Sequence, residues 1–341
     1  MFLLTLGAMG CASTRPSEPR PAPPAAPEIA PHEIVVPPAK EASDAKEECI
    51  APASRTGSIT TARVDAETKG LSCCAYLRTS GSRATHLAYV QSGTGIYTTA
   101  DADVGGLAPL ALSSKSFALL TIDKPGIGMD AKGRVTLVRD RYKQHTLADL
   151  VTCSRNAIAW ATTRDAMAGD ARIVVNGHSE GAQSLVRLLD SRDALLDRVE
   201  VAILSGMPME PMLHAVERQL AIFMPFEIEP FQRALERRDD EYLVDLGLPA
   251  RYLEHPTARQ GMESVLSDLA EKRPRLRVEL FHGERDLNAP IALVKKFVQA
   301  NERAKSAGRP ALDLRLHVYP RARHDLDAYA QADLAALLGS L

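Results

Sequence analysis

Arg172-Ile173-Val174-Val175-Asn176 runs straight into Gly177-His178-Ser179-Glu180-Gly181, and then into the stretch EGAQSLVRLLD of residues 180–190. The first five residues have the β-branched character of a strand buried on both faces, and the last eleven read as a helix. The G-x-S-x-G spacing between them fits a sharp strand-to-helix turn that holds its serine in a strained backbone conformation, open to attack a substrate. Glycines on either side let neighbouring chain pass where a Cβ would clash. The turn also sets Ser179 at a helix N-terminus, with the Glu180 amide aimed toward developing negative charge. The competing reading is an ordinary tight turn in which Ser179 merely caps the helix.

Outward from this turn, short apolar runs alternate with helical patterns. Strands are predicted at 71–78, 86–91, 117–123, 172–176, 199–204, 278–282 and 314–319. Helices are predicted around Leu147, Leu150, Val151, Ile158 and Ala161, and over 180–190, 289–304 and 326–338. Such alternation requires crossover connections, so the expected class is α/β, a mostly parallel central sheet with helices on both faces. Ligands gather at the carboxyl ends of the strands in such sheets. Residues 206–273 break the rhythm with helical pieces rich in Met and Phe, read as a helical lid inserted over that edge. Most of these side chains should form the insertion's own core. Met207, Phe223 and Phe226 are the candidates to face an apolar substrate.

A serine hydroxyl needs a base, usually a histidine oriented by a carboxylate. His86 and His317 fall in or beside predicted strands and read as packing residues, and His178 should turn away from the side chain next to it. His324 lies in Tyr319-Pro320-Arg321-Ala322-Arg323-His324-Asp325, a loop between the last strand and the last helix, and is the expected base. The expected acid is Asp286, in Phe281-His282-Gly283-Glu284-Arg285-Asp286-Leu287-Asn288-Ala289-Pro290. Glu284 is its nearest competitor, and Asp325 reads as a local cap for the last helix. The chain order Ser179, Asp286, His324 is that of one triad family among several.

From about residue 71 onward the chain resembles the α/β-hydrolase superfamily, and the elbow GHSEGA resembles those of its esterase and peptidase-like members. Asp123-Lys124-Pro125-Gly126-Ile127-Gly128-Met129 is similar to the family's D-x-P-G-x-G-x-S turn, with Met129 in the serine position. HGERDLNAP is similar to its H-G-x-x-D-x-x-x-P acid loop. The resemblance implies a Ser-His-Asp triad and an oxyanion hole. Here the donors would be the amides of Glu180 and of Gly93 or Thr94, in Gln91-Ser92-Gly93-Thr94-Gly95. The Glu180 carboxylate would either pair with an arginine on a neighbouring element or meet a cationic substrate amine.

The front of the chain differs in kind. MFLLTLGAMGC, residues 1–11, reads as a signal peptide, and Cys11 after Ala8-Met9-Gly10 resembles a bacterial lipobox. Nine prolines fall within the 37 residues 12–48, so residues 12–56 read as a disordered, extended linker ahead of a hydrolase domain at 57–341. Export implies an oxidising compartment. Cys73 and Cys74 are then expected to reach different partners, Cys49 and Cys153 in either order, or to leave a free buried thiol.

The 341 residues hold 41 Lys+Arg against 43 Asp+Glu, a balance that removes the electrostatic case for nucleic acid. Membrane contact is expected only through a lipid at Cys11, placing the protein in the cell envelope, periplasm or medium. No Cys/His spacing suggests zinc, and the chemistry expected requires no metal or organic cofactor. The predicted activity is hydrolysis of a carboxylic ester on a small molecule. A peptidase or acyltransferase on the same triad is the alternative, and a non-catalytic binding protein a more distant one.

Overall fold

A strand with apolar side chains at every position is stable only where both of its faces are covered. FALLTI is such a segment, and all six of its residues are buried. The computed structural model describes residues 49–50, 58–96, 98–99, 107–130 and 133–341. The leader, Cys11 and the proline-rich stretch up to residue 48 lie outside the described residues.

The strands in chain order are β1 (Ser58–Asp65), β2 (Ser72–Thr79), β3 (Ala84–Gln91), β4 (Phe117–Ile122) and β5 (Ile127–Met129). They continue with β6 (Val135–Leu137), β7 (Met167–His178), β8 (Val199–Ser205), β9 (Arg277–Gly283) and β10 (Asp313–Tyr319). Eight form one sheet in the order β1-β2-β4-β3-β7-β8-β9-β10, while β5 and β6 pair as a separate small hairpin. Every pairing from β4 to β10 is parallel; β2 runs antiparallel to β4, and β1 antiparallel to β2. The winding direction reverses between β3 and β7. In open α/β sheets such a reversal is where ligands bind, outside the carboxyl ends of the strands.

Side chains alternate between two cores with the period of a strand. Ile173, Val175, Ala202 and Leu204 enter one, under the helices Leu147–Thr162, Glu180–Asp190, Met262–Lys272 and Ile291–Ser306. Val174, Val201 and Ile203 enter the other, under Leu107–Ser113 and Asp327–Gly339. The helix Leu147–Thr162 starts where Thr146 and Asp149 satisfy each other's backbone amides, so local sequence fixes its first turn.

The interval expected as a lid divides in two. Helices Met212–Phe223, Ile228–Arg237, Asp240–Asp245 and Ala250–Glu254 share a core of their own, with Met212, Val216, Phe231, Leu243 and Tyr252 packed on Leu147 and Leu150. The last helix, Met262–Lys272, instead sends Val265, Leu266 and Leu269 into the main core beside the elbow helix. That helix packs with the main core and not with the other four.

Two disulfides resolve the cysteine pairing left open by sequence: Cys49–Cys74 and Cys73–Cys153. Neighbouring residues on β2 project to opposite faces, so adjacent cysteines reach partners on opposite sides of the sheet. Cys73–Cys153 bridges 80 residues and joins β2 to the helix Leu147–Thr162. Loop-closure entropy then gives it a stabilisation of about 4 kcal/mol. Replacing both Cys73 and Cys153 with Ala should lower the unfolding free energy by about that amount in urea titrations. The Cys49→Ala/Cys74→Ala pair, which opens a shorter loop, should lower it less.

Candidate active site

The end of β7 meets the elbow helix at Ser179, whose φ of 55° and ψ of −121° place it in a region that side chains other than glycine rarely occupy. Its neighbours explain how the turn closes. A Cβ on Gly177 would sit 2.7 Å from the backbone of Ala182, and one on Gly181 2.2 Å from the Gln91 carbonyl oxygen. Both glycines are therefore required by close passage of chain. The Ser179 amide donates to the Ser205 carbonyl at 2.9 Å, tying the turn to the end of β8. Its hydroxyl does not cap the helix. The capping-serine reading fails, and the hydroxyl is left for other work.

The loop after β9 brings Asp286 to the same edge. Its Oδ1 accepts from the Asn288 and Ala289 amides at 2.8 and 2.9 Å, and its Oδ2 lies 2.9 Å from His324 Nδ1. Burial pushes the Asp286 carboxyl up, but the His324 ring and the Ala289 amide outweigh that and hold it below the usual carboxylate range. Glu284 instead faces Lys295 at 3.6 Å on the surface. Asp286 is thus the carboxylate that orients His324.

With Nδ1 engaged by Asp286, Nε2 is the ring nitrogen of His324 left to act as a base. The ring lies beside Gly206, where a Cβ would come within 3.1 Å of Cε1, and Gly206 directly follows the Ser205 that holds Ser179. No hydrogen bond joins the Ser179 hydroxyl to His324 or to any other described residue. Such contacts commonly tighten only when substrate arrives.

His178 joins this cluster. Its ring centroid lies 4.6 Å from that of His324, and its Nδ1 is 3.2 Å from Ser205 Oγ. Burial and the neighbouring His324 push its pKa down to about 4, so it is neutral at pH 7. His86 stacks on Phe117 and His317 on Phe281, the packing roles expected of them.

Gly93, expected as an oxyanion donor, follows β3 and passes the elbow so closely that a Cβ would lie 3.1 Å from Ser179 Cβ. The Glu180 amide opens the elbow helix and has no intrahelical acceptor. These two backbone segments flank Ser179. Among the side chains expected to face substrate, Met207 is buried in the main core. Phe223 and Phe226 are 52% and 72% exposed on the cap, with Ile222 and Met224 beside them.

No family model matches this chain, and no curated protein matches its sequence. Solved structures do match in three dimensions. Est1E from Butyrivibrio proteoclasticus with ferulic acid bound gives a TM-score of 0.55 at 16% identity, over 82% of this chain and 98% of that one. The Pyrococcus furiosus esterase Pf2001 gives 0.54 at 14%, over 87% and 97%. A lipase in its open form gives 0.55 at 15%, over 83% and 97%. The chain has the α/β-hydrolase fold.

Within that fold the residue after Ser179 is a buried ion. Glu180 Oε2 meets Lys124 Nζ at 2.8 Å, and both side chains are almost fully buried. The Tyr252 hydroxyl donates to Oε1 at 2.7 Å from the cap, and the Thr94 side chain adds a further bond. Burial pushes the Glu180 carboxyl up, but Lys124 and these hydrogen bonds outweigh it and hold it below its ordinary range. His145 packs beside Tyr252; burial and the Lys124 charge push it down to about 4, so it adds no second cation at neutral pH. Glu180 is therefore a structural ion, paired with a lysine of the DKPG turn and not with an arginine.

Lys124→Met should strand this carboxylate and cost about 3–5 kcal/mol at pH 7. A carboxyl depressed in the folded state contributes stability above its unfolded pKa and loses it as pH falls. The gap between variant and wild type in urea titrations should accordingly narrow below about pH 4.

Proposed function

We propose that the protein is a serine hydrolase that cleaves carboxylic esters through Ser179, His324 and Asp286. The observation that carries this reading is a non-capping serine in a positive-φ turn, at the same sheet edge as a histidine whose Nδ1 is held by a buried carboxylate. His324 Nε2 takes the proton as Ser179 Oγ attacks the carbonyl carbon. Asp286 holds the ring orientation and stabilises the imidazolium. The amides of Glu180 and of Gly93 or Thr94 receive the oxyanion, each worth about 3 kcal/mol of barrier. His324 then protonates the departing alcohol, and water repeats the sequence on the acyl-enzyme.

Ester is favoured over an aminopeptidase-type substrate because the acidic side chain next to the nucleophile is already neutralised by Lys124. It offers no free carboxylate for a substrate amine. The exposed apolar residues of the cap, the Est1E structure with ferulic acid and the esterase Pf2001 support a small ester with an apolar or aryl portion.

Ser179→Ala should abolish hydrolysis of short p-nitrophenyl esters and labelling by a fluorophosphonate, with the melting temperature retained; turnover by that variant rejects the nucleophile. Asp286→Asn should lower kcat by about 10³- to 10⁴-fold. Aminoacyl arylamides should not be turned over by the wild type.

We also propose that the protein is exported and anchored through a lipid on Cys11. The two disulfides support an oxidising location. Cells grown with radiolabelled palmitate should label the wild-type protein and not Cys11→Ala, and an unlabelled wild type would rule the anchor out.

A further inference from the structure

Arg218 stands on the cap helix Met212–Phe223, and its guanidinium is shared between Glu210 and the loop that carries Asp286. Nη1 donates to the Leu287 carbonyl, and Nη2 to the Asn288 carbonyl at 2.5 Å. Nε donates to Glu210 Oε1 at 2.7 Å, which holds the plane in place. Gln219 adds a neutral bond to the Asn288 carbonyl at 3.2 Å.

The two carbonyls belong to the peptide groups Leu287–Asn288 and Asn288–Ala289. Their N–H ends are the two amides that donate to Asp286 Oδ1, at 2.8 and 2.9 Å. A cation on the oxygen of a peptide polarises its N–H and strengthens the bond on the far side. The planar fork of arginine spans both carbonyls at once, which a lysine cannot do.

We propose that Arg218 is a positioning residue: through two peptide groups it aims the Asp286 carboxylate at His324, and so makes the set of the catalytic acid depend on the seating of the cap. This rests on the hydrolase reading for its kinetic consequence, although the Asp286–His324 bond can be observed without turnover.

The test compares Arg218→Met, Arg218→Lys and Gln219→Ala with the full wild-type chain. Misaiming by a fraction of an ångström should lower kcat of Arg218→Met on a p-nitrophenyl ester by about 10- to 100-fold, with KM within threefold. The low-field proton resonance of His324 Nδ1–H should broaden or move upfield as its bond to Asp286 lengthens. Arg218→Lys, which keeps the charge and the packing of the stem, should recover only part of kcat; it serves as the probe if Arg218→Met does not fold. Gln219→Ala should stay within threefold of wild type. A folded Arg218→Met or Arg218→Lys with wild-type kcat and an unmoved resonance overturns the proposal, as does a change confined to KM. If fluorophosphonate fails to label wild-type Ser179, the hydrolase reading fails separately, and the resonance alone decides the positioning role.

Discussion

Everything at the site depends on one backbone constraint, the left-handed φ at Ser179. For a residue with a side chain this conformation costs on the order of 1–2 kcal/mol, and it persists only where surrounding structure over-determines it. Here the last part of β7 enters paired on both sides, Arg172–Gly177 with β3 and Ile173–His178 with β8, and the elbow helix leaves with ten of its eleven residues buried. Between these two anchored elements no room is left for a relaxed turn. The glycines at 177 and 181 are the complement of that constraint, since the chain comes so near that any side chain there would meet backbone.

A second constraint joins the layers above the turn. The Lys124–Glu180 pair links the turn after β4 to the elbow helix, and Tyr252 extends the link to the cap. Buried ion pairs seldom add much to stability compared with apolar replacements. Their geometry is demanding, however, and here it fixes where three segments distant in sequence must meet. Arg218 repeats the pattern on the other flank, from the cap to the acid loop. The cap is thus fastened by polar bonds both to the elbow helix, through Tyr252, and to the loop after β9, through Arg218, and not by apolar packing alone.

Much of this was legible from sequence, for identifiable reasons. Short β-branched or apolar runs located the seven strands of the sheet from β2 through β4 and β7 to β10, and strand–turn–helix context singled out Ser179 as the candidate. Loop position after β9 and β10 selected Asp286 and His324. β1 escaped because SITTARVD is a largely exposed edge strand with a single buried position, Val64, and so carries almost no apolar periodicity. The hairpin of β5 and β6 is only three residues a side, too short for any period to show. The roles of Lys124, Tyr252, His178 and Arg218 were hidden for a different reason: each depends on a partner brought near only by the fold. Composition likewise could not tell a methionine in the main core, Met207, from a phenylalanine on the cap surface, Phe226.

The Cys49–Cys74 bond has a mechanical consequence. Tension on the chain ahead of residue 49 enters the domain through a covalent link into the middle of β2, and does not unzip β1 from its free end. β2 is laced to β1 on one side and β4 on the other, so the load spreads into the most distant flank of the sheet. Asp286 follows β9, five places along the strand order from β2, so a load entering at Cys74 arrives on the far side of the sheet from that carboxylate.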